Sequence, residues 1–235
     1  MRSGSRHYDD VPIGIGFYTV SEASRLIKTP ARNIHRWLGG YSYKHNGSVT
    51  AISPLWMPQL PRFDDHLEIG FRDLIELRFV QAFLDVGLGL KTIRNCLECA
   101  RECVNDDRPF STRRFKTDGR TIFLESLKHS GESELLDLKH RQYAFRQVVE
   151  RTFRDLDFSE DSVARWRPFN GKESIVVDPS RAFGQPIAAE FGVPTVVLAE
   201  AVEAEGSIER VAMMFDASVG AVRDAMKFEE SLRST

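Results

Sequence analysis

Cysteine is scarce. The chain has three in 235 residues, an odd and small number that argues against a disulfide framework and points to a reducing cytoplasm. Long hydrophobic runs are missing as well: no stretch approaches the roughly 18 apolar residues of a membrane span. Met1 to Asp10 is polar and lacks the apolar core of a signal peptide. The signatures of catalysis are absent too, with no Gly-rich phosphate loop, no His-Glu-x-x-His pair and no nucleophile elbow. The six histidines are scattered, and the carboxylates form no isolated pair in an apolar frame. A cytoplasmic, non-enzymatic chain without a cofactor is the expectation. What is present is 42% hydrophobic residues, enough for a packed core.

The net charge of −2 conceals an uneven distribution. Met1 to Leu60 holds seven Lys/Arg against three Asp/Glu, a balance of +4. Gly171 to Thr235 holds six against eleven, a balance of −5. A basic end suits phosphate, and an acidic end suits a basic protein partner.

Residues 1–16 are polar and rich in Gly and Pro, and read as a loose arm. Thr19-Val20-Ser21-Glu22 then has capping-box spacing and opens a helix with Ala23, Leu26 and Ile27 on its apolar face. Thr29 is the next candidate N-cap, with Pro30 at the first helical position. Ile34, Trp37 and Leu38 face inward on this second helix, and Gly39-Gly40 ends it. Two short helices joined by a tight turn outline a helix-turn-helix. Arg32, Asn33, His35 and Arg36 are left facing outward. These types reach guanine, adenine and phosphate. Thr19 and Ser21, at the start of the first helix, are candidate backbone donors to phosphate.

Lys44-His45-Asn46-Gly47 reads as a turn between Tyr41–Tyr43 and Val49–Ile52. That hairpin sits where a wing would, which adds Lys44 and His45 to the candidate DNA contacts. Pro54, Pro58 and Pro61 extend the chain beyond it. Phe71 to Val86 and Leu90 to Val104 have helical apolar spacing on either side of Gly87-Leu88-Gly89. Asp118-Gly119, between Phe115–Thr117 and Thr121–Leu124, predicts a second hairpin. Residues 132–156 read as a further helix, with Phe145, Val148, Val149, Phe153 and Leu156 on one face. Cys96, Cys99 and Cys103 share one helical stripe and are expected to pack rather than to bind metal.

Tyr18 to Leu38 resembles the first two helices of MerR-like regulators, and Phe71–Leu77 with Val86–Arg94 resembles their second helical pair. The resemblance implies a DNA-binding fold that acts as a dimer. The predicted hairpin at Asp118-Gly119 departs from members in which a long dimer helix follows directly. At the other end, Ile175–Ile187, Gly192–Leu198 and Gly206–Met226 are similar to a small bacterial domain that pairs a hairpin with three helices. Gly184, Pro186, Gly192 and Pro194 match its hairpin, with the spacing stretched. That domain occurs in VapB-like antitoxins encoded beside PIN-like ribonuclease toxins.

The expected fold is therefore mainly α with short β-hairpins, an α+β chain. A MerR-like winged helix-turn-helix would occupy 17–127, a connecting helix and linker 128–170, and a β-hairpin with a three-helix bundle 171–235. Ser207 and Ser218 are expected to cap helices reaching Phe215 and about Glu229. The mixed outward charges Arg223, Lys227, Asp224, Glu229 and Glu230 suit a dimer or partner surface better than phosphate. The function that follows is an antitoxin that silences a PIN-like ribonuclease toxin and represses its own operon as a homodimer on double-stranded operator DNA. The alternative is a stand-alone MerR-like regulator whose C-terminal domain senses a ligand or dimerises.

Overall fold

Both halves of the capping box at Thr19 are made. The Thr19 hydroxyl accepts from the Glu22 N–H at 3.2 Å, and the Glu22 carboxylate accepts from the Thr19 N–H at 2.8 Å. Helix α1 (Val20–Ile27) starts there in the computed structural model, which describes residues 14–45, 47–129 and 135–233. Most of the expected arm lies outside those residues, but Ile15 is tied in, its carbonyl accepting from the Phe71 N–H at 2.8 Å. Lys28, in the left-handed region, ends α1.

Helix α2 (Ala31–Gly39) is capped differently from the expectation. Pro30, not Thr29, holds the N-cap position. Thr29 is buried, and its hydroxyl donates to the Ile27 carbonyl and to Gln81, each at 3.2 Å. Its side chain locks the inter-helix turn onto the core, so it is not free to cap.

Strand β1 (Tyr18–Thr19) pairs antiparallel with β4 (Glu68–Ile69). Strands β2 (Tyr41–His45) and β3 (Ser48–Ile52) form the expected hairpin, with Lys44 and His45 inside β2. Helices α3 (Phe71–Asp85) and α4 (Leu90–Val104) flank the Gly87-Leu88-Gly89 break as anticipated. The second predicted hairpin does not exist. Arg113–His129 is one continuous helix, α5, running straight through Asp118-Gly119. Phe115, Gly119, Ile122, Phe123, Ser126 and Leu127 are all buried, a helical stripe that outweighs the local turn signal. The Phe115 ring lies against Gly119, where a Cβ would stand 3.4 Å from it.

Helix α6 (Leu135–Phe153) delivers Phe145 and Phe153 into the same core. The Phe145 ring stacks on Phe123 at 4.2 Å and on Phe83 at 5.0 Å, and Phe153 meets Phe79 at 4.8 Å. Leu156, expected on that helix, lies instead on strand β5 (Leu156–Ser159). Strand β5 opens a four-stranded antiparallel sheet with β6 (Ser162–Trp166), β7 (Ile175–Val177) and β8 (Pro186–Ala188), in that order. The residue-170 boundary thus falls between two neighbouring strands of one sheet.

Helices α7 (Thr195–Glu205), α8 (Ile208–Met214) and α9 (Val219–Arg233) share a second, largely aliphatic core around Leu198, Val211, Val222 and Leu232. Ser207 accepts from the Arg210 N–H, and Ser218 from the Ala221 N–H, as expected of caps. Glu229 is not an outward charge. It is 5% exposed, accepts from the Thr195 hydroxyl and pairs with Arg25 on α1 at 3.3 Å. A second tie between the ends runs from the Tyr18 hydroxyl to the Gly184 carbonyl at 2.7 Å. Gly184 has φ +84, and a Cβ there would collide with the Tyr18 hydroxyl, so only glycine serves. The chain is a mixed α+β protein, with helices predominating and small antiparallel sheets. No helix among the described residues is long and apolar enough to cross a membrane.

Candidate nucleic-acid interface

Helix α2 has a sharply divided surface. Ile34, Trp37 and Leu38 are buried, at 0%, 4% and 2% exposure. Arg32, His35 and Arg36 are exposed and Asn33 is half-buried, because the 3.6-residue period rotates them away from the core. The structure therefore brings four of the candidate residues onto one helix face. Ser21 is exposed at the start of α1. The Thr19 N–H, the other candidate donor there, is occupied by the capping box.

The β2–β3 hairpin stands beside this face. Arg36 lies over the Tyr41 ring at 4.1 Å, and Tyr41 is 6.3 Å from Tyr43 along the same strand. This stack holds the Arg36 guanidinium between helix and hairpin, a contribution of Tyr41 that charge patterning alone did not reveal. Lys44 is exposed and pairs in register with Val49. The His45 backbone pairs with Ser48.

The base of the hairpin is fixed by backbone and buried charge. The Leu55 N–H donates to the Trp37 carbonyl at 2.7 Å. Gly40, with φ +70, admits the close approach of the Ile52 carbonyl, which would lie 2.7 Å from any Cβ. From α4, Arg94 donates to the Ser53 and Pro54 carbonyls and Arg101 to that of Leu55. Asp73, fully buried on α3, accepts from the Trp56 indole at 2.9 Å, from the Gln59 N–H at 2.7 Å and from Arg108 at 2.6 Å. Nearby, burial pushes the Glu76 carboxyl up to about 8, although the Phe110 and Ser111 N–H groups donate to it.

Between Phe17 and Ile52 the sequence has five Lys/Arg and a single acid, Glu22. Among the described residues, no ion pair engages Arg32, Arg36 or Lys44. The other end differs. Lys172 pairs with Asp224, Arg210 with Glu205 and Arg233 with Glu203. The same end exposes large apolar side chains, Phe183 at 82%, Met213 at 77% and Met214 at 59%.

No family model matches the chain. The sequence is 26% identical over 228 residues to a Mycobacterium tuberculosis (strain ATCC 25618 / H37Rv) protein provisionally named antitoxin VapB45, with 92% of this chain and 93% of that protein aligned. The crystal structure of Rv2018 from Mycobacterium tuberculosis superposes with a TM-score of 0.73 at 21% identity, covering 92% of this chain and all of that one. The chain is thus a distant homologue, over nearly its whole length, of a provisionally named VapB antitoxin, and its fold is that of Rv2018.

Proposed function

We propose that this chain is an antitoxin that binds and neutralises a PIN-like ribonuclease toxin and represses its own operon on double-stranded operator DNA. The observation that carries the antitoxin role is the similarity to antitoxin VapB45 across 92% of one chain and 93% of the other. An end-to-end match argues for a shared role of the whole chain, not for one borrowed module. As an inhibitory protein it needs no catalytic apparatus of its own.

The DNA role rests on α1, α2 and the β2–β3 hairpin, read as a winged helix-turn-helix of MerR type within 17–127. Arg32, Asn33, His35 and Arg36 would enter the major groove. Lys44 and His45 on the hairpin would meet flanking phosphates, and Ser21 would offer its N–H at a helix start. One such reader spans few base pairs, so a homodimer on a palindromic site is part of the proposal. The toxin would dock on the 171–235 end, where Met213, Met214 and Phe183 are exposed in a segment with a surplus of acidic residues. Apolar side chains in such a setting suit a protein partner.

The test is co-expression in the cytoplasm with the product of the adjacent gene. The wild-type chain should restore growth and co-purify with that product. Met213→Asp with Met214→Asp should lose both while still shifting operator DNA, a loss of about 2 kcal/mol or more at a binding hot spot. An adjacent product that is harmless alone would overturn the antitoxin reading.

A further inference from the structure

The stripe of cysteines expected only to pack meets a carboxylate at its outer edge. Cys99 and Cys103 are one turn apart on α4, and both are half-buried. Helix α5 lies alongside and presents Glu125 to them. The two sulfurs and a Glu125 carboxylate oxygen all lie within 4.8 Å of one another. Cys96, the third member of the stripe, is 2% exposed, beside Ser126, and stands outside this group.

We infer that Cys99, Cys103 and Glu125 form a binding site for a single thiophilic divalent cation of the zinc type. Two sulfurs and one carboxylate are a mixed soft and hard set, which zinc accepts and magnesium or calcium does not. Zinc–sulfur bonds of about 2.3 Å and zinc–oxygen bonds of about 2.0–2.2 Å place tetrahedral ligands about 3.5–3.8 Å apart. Each pair of donors therefore closes by about 1.3 Å or less, within reach of side-chain rotation. A fourth position stays open to solvent, since the site lies at the half-buried edge of the helix pair.

Binding displaces the proton of each thiol, so a neutral pair of thiols releases two protons as two metal–sulfur bonds form. The cation would pin α4 to α5. The same α4 carries Arg94 and Arg101, which hold the chain leaving the β2–β3 hairpin.

Cadmium reports on the site directly, because thiolate ligation produces an ultraviolet charge-transfer band. The full chain, kept reduced by a non-thiol phosphine, should saturate at one cadmium per chain, and zinc should displace it. Cys99→Ser and Cys103→Ser should each lose the band, while Cys96→Ser keeps it. Glu125→Gln should weaken binding by about tenfold or more, since a direct ligand is worth at least what an outer-shell partner is worth. Circular dichroism checks that each variant folds. Where one does not, alkylation of the wild-type chain decides: zinc should protect Cys99 and Cys103. No saturable band in the folded wild type, wild-type affinity in Glu125→Gln, or alkylation at Cys99 and Cys103 unaffected by zinc would overturn the site.

Discussion

The two ends of the molecule display charge in opposite ways. On α2 and its hairpin, Arg32, Arg36 and Lys44 stand exposed with no ion pair among the described residues. Around the last three helices, Lys172, Arg210 and Arg233 each lean on a carboxylate. The cores differ as well: stacked phenylalanines fill the larger and aliphatic side chains most of the smaller. Unmatched cations are costly to keep close together unless a polyanion relieves them, whereas a surface of matched pairs with a surplus of carboxylates repels phosphate. An arginine count alone would not distinguish the two ends; among the described residues, Arg210 and Arg233 already hold a carboxylate, whereas Arg32 and Arg36 hold none.

The strongest way to break that comparison is to remove arginines from each end in turn. Arg32→Ala with Arg36→Ala should weaken operator binding by about 2–6 kcal/mol, at roughly 1–3 kcal/mol per specific contact. Arg210→Ala with Arg233→Ala should leave gel-shift affinity unchanged. Equal losses from both pairs would abolish the distinction.

Asp73 tests how the segment after the hairpin is held. Asp73→Ala strips Arg108, only 13% exposed, of its buried partner, and frees the Trp56 indole and the Gln59 N–H. The expected cost is about 3–5 kcal/mol. Thermal melting should fall by roughly 10 °C, with operator binding lost once the fold loosens. A melting point within a degree or two of wild type would remove Asp73 from that role.

Glu76 gives the same region a pH dependence. Its carboxyl is raised from 4.5 to about 8 by burial, so the folded chain binds a proton that the unfolded chain releases. The stabilisation is fully present below about 4.5 and is lost as pH rises through about 8. Denaturant unfolding should show this decline, and Glu76→Gln, which cannot ionise, should flatten it. A wild-type slope of opposite sign in that window would exclude the raised carboxyl.

The smallest effect belongs to the contact between the ends. Arg25 is about half exposed, with a side-chain exposure of 48%, so Arg25→Ala should cost less than about 1 kcal/mol in chemical denaturation. Thr195→Val, which removes the other partner of Glu229 inside the protein, should cost more. The reverse order would place the weight of Glu229 on the inter-end contact.

Much of the fold was legible where local chemistry and tertiary packing agree. The Thr19–Glu22 box, the Gly87-Leu88-Gly89 break and the Ser207 and Ser218 caps formed as read, and the 41–52 hairpin formed with Lys44 and His45 in its first strand instead of its turn. The failures have separate causes. Asp118-Gly119 is a turn by itself, but Phe115, Ile122, Phe123 and Leu127 need one continuous face to bury, and that requirement overrides a dipeptide preference. The misreading also hid Glu125, which a strand would have carried away from Cys99 and Cys103. Strands β5 and β6 escaped notice because short strands with few buried positions leave almost no periodic signal. Glu229 was placed outside on the rule that charge seeks water, and no sequence pattern announces its partners Thr195 and Arg25. The exposed face of α2 was readable because three apolar anchors fix the rotation of a nine-residue helix.

The bond from Tyr18 to Gly184 joins positions 166 apart in sequence. It bears on how such chains can recombine. A hybrid that takes its first half from one relative and its last helices from another inherits a tyrosine selected against one glycine and a glycine selected against a different neighbour. A seam between Trp166 and Val177 would likewise split a strand pair. The two halves look like interchangeable cassettes when read along the chain. Lineages that exchange them should do so only where both Tyr18 and Gly184 travel unchanged, and the pair should therefore be kept together as one inherited unit.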